Sequence, residues 1–157
     1  MARLNLTAVL LLALGVAGVA SARAGGIDDA EAGRSAYSRG YYDLAIENYT
    51  RAIRSGELSG ENLAAVYTGR GIIHYIESQS ERAIADYSEA LSLDPGHVEA
   101  WYMRGIAYWL QGRHDLAIGD YTEALSLDPG HVNAASNRDA AYALERIQFN
   151  PVHIRLR

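Results

Sequence analysis

The side chains with the widest chemical range in this sequence are five histidines, since no cysteine is present. His97 and His131 stand in identical Asp-Pro-Gly-His-Val contexts at an offset of 34 (131 − 97), and two such imidazoles could share a zinc ion. Two histidines alone do not complete a zinc site, so we expect no metal. The sequence also lacks a Gly-rich phosphate loop and any spacing that suggests a Ser-His-Asp arrangement. We therefore expect no catalytic residues, no cofactor and no small-molecule substrate.

The two histidines belong to a longer duplication. The stretch EALSLDPGHV occurs at 89–98 and, unchanged, at 123–132, which is the same offset of 34 (123 − 89). The similarity extends upstream, because Arg70-Gly71-Ile72 returns as Arg104-Gly105-Ile106 at that offset too. A constant offset of this size indicates one supersecondary unit stacked on copies of itself.

The segment 1–24 has the composition of a secretory signal peptide. Arg3 precedes an almost wholly apolar run from Leu4 to Ala20, and small residues provide cleavage sites after Ala22 or Ala24. The run is shorter than the ~20 residues that span a bilayer comfortably, so an uncleaved membrane anchor is the less favoured alternative. We expect export to a bacterial periplasm or out of the cell, and a eukaryotic secretory route stays open.

Charge limits the partners that this chain can bind. Removal of residues 1–24 takes away two arginines and no acid, which changes the net charge from −5 (14 − 19) to −7 (12 − 19). An acidic chain without a basic run is a poor partner for nucleic acid or anionic lipid. We expect neither, and membrane attachment only through an uncleaved leader.

Apolar residues spaced three and four apart predict helices throughout the chain after the leader, and no segment has a strand pattern. Asp28 is predicted to cap the first helix, and Ser78 to open a capping box with Glu81 before the fourth. Gly40, Gly112 and the two Asp-Pro-Gly stretches mark breaks. The predicted helices span about 28–39, 43–55, 63–78, 79–93, 98–111, 114–127 and 132–148.

These positions resemble the tetratricopeptide repeat, whose pattern is W-x2-L-G-x2-Y, then A-x3-F, then P over about 34 residues. The last complete unit matches it as Trp101, Arg104, Gly105, Tyr108, Ala117, Tyr121 and Pro129. The unit before it matches as Tyr67, Arg70, Gly71, His74, Ala83, Tyr87 and Pro95. The first unit keeps Gly33, Ala45 and Tyr49 but lacks the first aromatic residue and the proline.

The resemblance implies an all-α fold, namely a right-handed α-solenoid of three tetratricopeptide helical hairpins plus a C-terminal capping helix. The repeat domain covers 25–149, with repeats at about 26–59, 64–97 and 98–131, a capping helix at 132–149 and a tail at 150–157. Among members of the family, the chain is most similar to short exported bacterial proteins.

One departure from the pattern predicts an ion pair. The usual leucine is Arg70 and Arg104 here, and the same two repeats carry Asp86 and Asp120 in their second helices. The first repeat has Ala32 and Asn48 instead, so the two charges occur together or not at all. We expect each arginine to pair with an aspartate across its hairpin or to the next one.

The resemblance also implies that partners bind along the concave face formed by the first helices. At helical spacing, the fifth helix carries large apolar residues on two faces, and only one of them is needed for its own hairpin. We therefore expect an apolar groove centred on Tyr75, Tyr102 and Trp109 and rimmed by Arg34 and Asn137, which binds a segment of another protein. Its remaining predicted residues are Tyr37, Ile72, Ile76, Met103, Ile106 and Leu110.

Two functions follow from these expectations. The first is a non-catalytic scaffold that binds a peptide or partner protein in an envelope or secretion assembly. The second is a structural role through self-association, by the groove or by the end helix, as a homo-oligomer. Family members that clamp a chaperone's C-terminal carboxylate use Lys, Arg and Asn in the groove. The corresponding places here hold Ala30, Arg34, Gly69, Glu99 and Met103, so we do not expect that activity.

Overall fold

In a computed structural model of this protein, residues 25–149 are described, with side chains through residue 146. The predicted signal peptide, its cleavage site and the tail at 150–157 lie outside this range. The described part contains seven α-helices and no strand, which confirms the predicted all-α class. The helices are α1 (Gly26–Ser38), α2 (Tyr42–Ser55), α3 (Gly60–Ile76), α4 (Ser80–Leu93), α5 (Val98–Leu110), α6 (His114–Leu127) and α7 (Val132–Phe149).

Consecutive helices form three hairpins, α1 with α2, α3 with α4 and α5 with α6. Neighbouring hairpins meet where α2 packs on α3 and α4 packs on α5, and α7 packs on α6 at the end of the stack. The first helices of successive hairpins also touch, α1 with α3 and α3 with α5. None of the helices α1 to α7 combines the length and the apolar composition that crossing a membrane requires.

A glycine on the first helix and a tyrosine on the second bring each hairpin together. The Tyr121 ring lies against Gly105, where an added Cβ would stand 2.7 Å from a ring carbon. Tyr87 lies against Gly71 in the same way, and both tyrosines are at most 1% exposed. The alanines of the repeat pattern on the second helices are fully buried, and they are Ala45, Ala83 and Ala117.

The predicted arginine and aspartate pairs form within the hairpins. The Arg104 Nε and Nη2 atoms donate to the two carboxylate oxygens of Asp120 at 2.8 and 2.9 Å. Arg70 and Asp86 repeat this geometry at 2.8 and 2.6 Å. Both carboxylates are buried, and a planar guanidinium that meets a carboxylate through two parallel bonds fixes the distance between the two helices.

Each of these arginines also connects its hairpin to the one before. The Arg104 Nη1 atom donates to Ser88 Oγ at 3.1 Å, and the Arg70 Nη1 atom donates to Thr50 Oγ1 at 3.0 Å. The acceptors lie on α4 and α2, the second helices of the preceding hairpins. The arginine in place of the usual leucine therefore joins three helices, an arrangement that leucine cannot provide.

The first hairpin lacks this pair and uses a different one. Arg51 on α2 donates through Nε to Asp29 on α1 at 2.9 Å, and it also bonds the side chains of Asn48 and Glu47. The cation thus comes from the second helix and the anion from the first, the reverse of the other hairpins. Asp29, which stands at the place of the first aromatic residue, is 5% exposed.

Two of the predicted caps are wrong. Helix α1 begins at Gly26, so Asp28 lies in its first turn, where its carboxylate accepts a bond from the Gly25 N–H at 3.4 Å. Ser78 has a φ of 60° in the left-handed region, the conformation of Gly40 and Gly112 in the other two hairpins. A residue in that turn cannot also take the extended conformation of an N-cap, and α4 therefore begins at Ser80.

Candidate functional site

Two cavities open on the surface formed by the first helices and α7, which we call the A-helix face. The N-terminal cavity, of about 320 Å³, lies between α1 and α3 next to the loop before α5. It contains three of the predicted groove residues, Arg34, Tyr37 and Ile72. Its remaining walls come from Tyr49, Ala65, Val66, Thr68, Gly69 and His97.

The C-terminal cavity, of about 330 Å³, lies between α3, α5 and α7. It contains the other four predicted residues that line a cavity, Tyr75, Ile106, Trp109 and Asn137, together with Tyr121 and Ala140. Ala140 on α7 takes the place that Ile106 occupies one repeat earlier on α5, so α7 contributes only a methyl group to this wall of the cavity.

Four predicted groove residues line neither cavity. Tyr102 lies beside the C-terminal cavity without lining it, and its ring is 4.6 Å from the His131 ring and 6.1 Å from the Tyr121 ring. Ile76 and Leu110 end their helices at the surface, 42% and 61% exposed. Met103 is half-buried on α5. The predicted centre on Tyr75, Tyr102 and Trp109 therefore divides, with Tyr75 and Trp109 in the C-terminal cavity and Tyr102 packed beside it.

The second helices contribute two cavity residues that the sequence prediction assigned to the hairpin interior. Tyr49 and Tyr121 cross their own hairpins and reach the A-helix face between two first helices. The only signal was Gly69, because an added Cβ there would lie 3.0 Å from the Tyr49 hydroxyl oxygen. A small residue at this place on the first helix of the next hairpin thus indicates that the tyrosine side chain extends as far as that helix.

Burial raises the pKa of the two second-helix tyrosines that line the cavities, Tyr49 and Tyr121. It raises the pKa of Tyr121 to about 12, and Asn137 beside it opposes part of that rise. Burial likewise raises the pKa of Tyr49, and the nearby Arg34 charge opposes it. A neutral phenol next to an amide can both donate and accept hydrogen bonds, so the C-terminal cavity can satisfy a peptide group as well as apolar atoms.

Contacts with α6 hold Trp109 in position. The His114 ring packs against the indole with its centroid 4.4 Å away. His114 is the first residue of α6, so one side of Trp109 is fixed by its own hairpin and the other side faces the cavity. A large aromatic ring that is held before a partner arrives loses little entropy on binding.

The histidines considered for a metal have separate structural contacts. His131 accepts a bond from the Ala134 N–H at 3.1 Å through Nδ1, and so caps the first turn of α7. The Nε2 atom of His97 lies 3.4 Å from Thr68 Oγ1 in the N-terminal cavity. Across residues 25–146, no three His, Asp or Glu side chains come together in a way that could hold a metal ion.

Comparison with known sequences identifies the repeat. A family model described as a tetratricopeptide repeat matches residues 68–132. The chain is 31% identical over 71 residues to the Arabidopsis thaliana protein PYG7, a chloroplastic tetratricopeptide repeat domain-containing protein. That match covers 45% of this chain and 24% of PYG7, so the chain corresponds to about a quarter of the length of this relative.

Solved structures share the fold. The tetratricopeptide repeat domain of Arabidopsis OM64 superposes with a TM-score of 0.71 at 24% identity, over 76% of this chain and 96% of that one. The second such domain of human RPAP3, solved in complex with the HSP70 peptide SGPTIEEVD, superposes with a TM-score of 0.67 at 26% identity. This match covers 74% of this chain and 94% of the RPAP3 domain.

Proposed function

This chain is a tetratricopeptide repeat protein through residues 68–132, and from that premise we propose that it is a non-catalytic scaffold that binds a segment of a partner protein on its A-helix face. The observation that carries the proposal is the C-terminal cavity, where Trp109 and Tyr75 border an opening of about 330 Å³. Pre-positioned aromatic side chains around a pocket are the usual centres of binding energy in protein interfaces.

The lining of the C-terminal cavity favours an uncharged anchor on the partner. None of its six lining residues carries a charge, so a buried carboxylate or ammonium group would lose its hydration without a compensating pair. Asn137 and the Tyr121 hydroxyl can bond a backbone amide of the partner. We therefore propose a segment that places an aromatic or large aliphatic side chain beside Trp109.

The site differs from that of a chaperone-tail receptor, although such receptors share the fold. The second domain of human RPAP3 was solved with an HSP70 peptide that ends in EEVD, and the first such domain of Spaghetti (RPAP3) was solved with the HSP90 peptide SRMEEVD. Four of the five clamp places in this chain hold Ala30, Gly69, Glu99 and Met103, and the exposed Glu99 repels an acidic peptide. We expect SRMEEVD to show no saturable binding in a titration that saturates with an apolar partner peptide.

We also propose that this scaffold acts in a bacterial envelope or in a secretion assembly. The support is the composition of residues 1–24, in which one early arginine precedes an apolar run and small residues. Fractionation of cells that express the tagged full chain, together with N-terminal sequencing of the product, tests this part of the proposal. A product that keeps residues 1–24 and stays in the cytosol would refute it.

The binding proposal is tested with a displayed peptide library and two matched variants. The chain from Gly25 to Arg157 contains every described helix and serves as the bait. We expect selected peptides to share an aromatic or aliphatic anchor and to bind about tenfold or more weakly to Trp109→Ala, because loss of a central aromatic ring costs about 1.4 kcal/mol or more. The control is Leu110→Ala, the neighbouring apolar residue, which is 61% exposed and lines neither cavity.

Intrinsic fluorescence provides an independent measurement. The chain has two tryptophans, so Trp101→Phe leaves Trp109 as the sole reporter of the cavity. We expect the emission of Trp109 to shift when a selected peptide binds. If both alanine variants bind equally well, or if Leu110→Ala loses as much affinity as Trp109→Ala, the C-terminal cavity is not the binding site.

A further inference from the structure

The outer face of α7 has no helix packed on it within the described residues. Its members follow from the repeat. Arg104 bonds Asp120 on α6, Gly105 lies against the Tyr121 ring of α6, and Tyr108 packs under Arg113 at the start of α6. The residues at the same places one repeat later face the same way on α7, and this α7 outer face consists of Arg138, Asp139 and Tyr142. The Asp139 side chain is 71% exposed and Tyr142 is 45% exposed.

Arg138 keeps the arginine of the repeat but lacks its aspartate. The Nε atom of Arg104 donates to Asp120, whereas the Nε atom of Arg138 is buried and has no hydrogen-bond partner among the described residues. The only carboxylate bonded to its guanidinium there is that of the next residue, Asp139, at 3.4 Å. The Arg138 side chain as a whole is 31% exposed, so its guanidinium group can still pair with a carboxylate that a partner brings from outside.

An ordinary hairpin partner does not fit this face. In the other hairpins the second helix places a tyrosine ring against a glycine, and an added Cβ at Gly105 would stand 2.7 Å from that ring. Asp139 occupies the equivalent place on α7, and its side chain would both collide with such a ring and be buried unpaired. The fitting partner offers a cation to Asp139 and a carboxylate to Arg138.

We propose that a second copy of this chain binds here, with the two α7 helices antiparallel about a two-fold axis between Arg138 and Asp139. Arg138 of each copy then opposes Asp139 of the other. The face is complementary to itself in charge, as a two-fold interface requires. The interaction rests on α7 alone and leaves both cavities on the A-helix face open.

The size of the contact sets its strength. Each copy contributes one face of an 18-residue helix, and such an area belongs with weak, reversible interfaces. The central charge pairs are partly exposed, so salt screens them. We expect a dimer that dissociates on dilution and that is weaker at high ionic strength.

Charge exchange provides a decisive test. Sedimentation of residues 25–157 over a wide range of concentration should show a monomer and dimer in equilibrium. Arg138→Asp and Asp139→Arg each place like charges opposite each other twice, and we expect each to weaken the dimer by about tenfold or more. The double variant Arg138→Asp/Asp139→Arg restores opposite charges across the axis, and we expect it to regain most of the lost affinity.

Two controls keep the result interpretable. Circular dichroism and thermal unfolding of each variant check that α7 stays folded. The variant Trp109→Ala alters the C-terminal cavity and not the α7 outer face, so we expect it to leave the dimer affinity unchanged. A parent that is monomeric at every concentration overturns the proposal, whether residues 150–157 or another protein then covers the face. A dimer that Trp109→Ala dissolves, or that the double variant fails to restore, also overturns it. Failure of the dimer proposal in any of these ways leaves the proposed peptide binding by the monomer untouched, because that binding is measured separately.

Discussion

Replacement of Asp120 by alanine should lower the free energy of unfolding by about 3–5 kcal/mol, because it leaves the Arg104 guanidinium partly buried without its anion. The Arg104 side chain is 16% exposed, so water reaches it only in part. Two hydrogen bonds disappear with the carboxylate, and only the bond to Ser88 remains. Chemical denaturation of the parent and the variant, monitored by helical circular dichroism, measures the difference.

The matched control removes both charges. We expect Arg104→Leu/Asp120→Ala to recover most of the stability that Asp120→Ala loses, because a buried ion pair replaced by apolar side chains is often close to neutral. Leucine is also the usual residue of the repeat at that place. If Asp120→Ala costs less than about 1 kcal/mol, the guanidinium is hydrated in the folded state and the pair behaves as a surface salt bridge.

The stability of the single variant Arg104→Leu should depend on pH in the direction opposite to that expected for a protein with an ordinary paired carboxylate. Burial raises the pKa of Asp120 above its ordinary 3.8, and the bonds and charge of Arg104 oppose that rise in the parent. Without the arginine the folded-state pKa lies further above the unfolded one, so the folded state binds the proton more tightly. We therefore expect Arg104→Leu to gain stability relative to the double variant as the pH falls through the folded-state pKa of Asp120 towards 3.8.

The repetition of the sequence made its fold predictable. A single constant offset supplied the helix pairs, and the recurrent Gly105 and Ala117 places supplied the crossings. Arg104 and Asp120 could be paired from the sequence alone because the first repeat lacks both charges. Arg51 and Asp29 could not be paired, because they occur once and no second copy shows that they vary together.

The candidate site was less predictable, because it depends on how far side chains reach between helices. Periodicity placed Tyr102 on the same face as Trp109, but it contained no sign that the Tyr102 ring packs at a tilt against the His131 ring. The cavity beside Trp109 is lined by residues of four helices, α3, α5, α6 and α7. A space of this kind can be located only when those helices are placed relative to one another, so a search of the sequence for large apolar residues does not find it.

Two glycines in the interior of one hairpin should respond to alanine in opposite directions. Gly105→Ala on α5 should lower the free energy of unfolding by about 3 kcal/mol, since its Cβ would lie 2.7 Å from the Tyr121 ring. That ring is 1% exposed, so a shift of the ring also displaces the side chains packed around it. The Arg104 and Asp120 bonds beside it also resist a wider separation of α5 from α6.

Gly119→Ala on α6 is the control, because an added Cβ there meets nothing within 4 Å. Alanine loses less backbone entropy than glycine in a helix, so we expect a gain of about 0.5–1 kcal/mol. Thermal and urea unfolding of the two variants beside the parent measures both changes. If both substitutions raise the stability, helix propensity outweighs packing at Gly105, and the glycines recur for a reason other than close approach. If Gly105→Ala alone is destabilising, the contact with tyrosine sets the spacing of every hairpin in the stack.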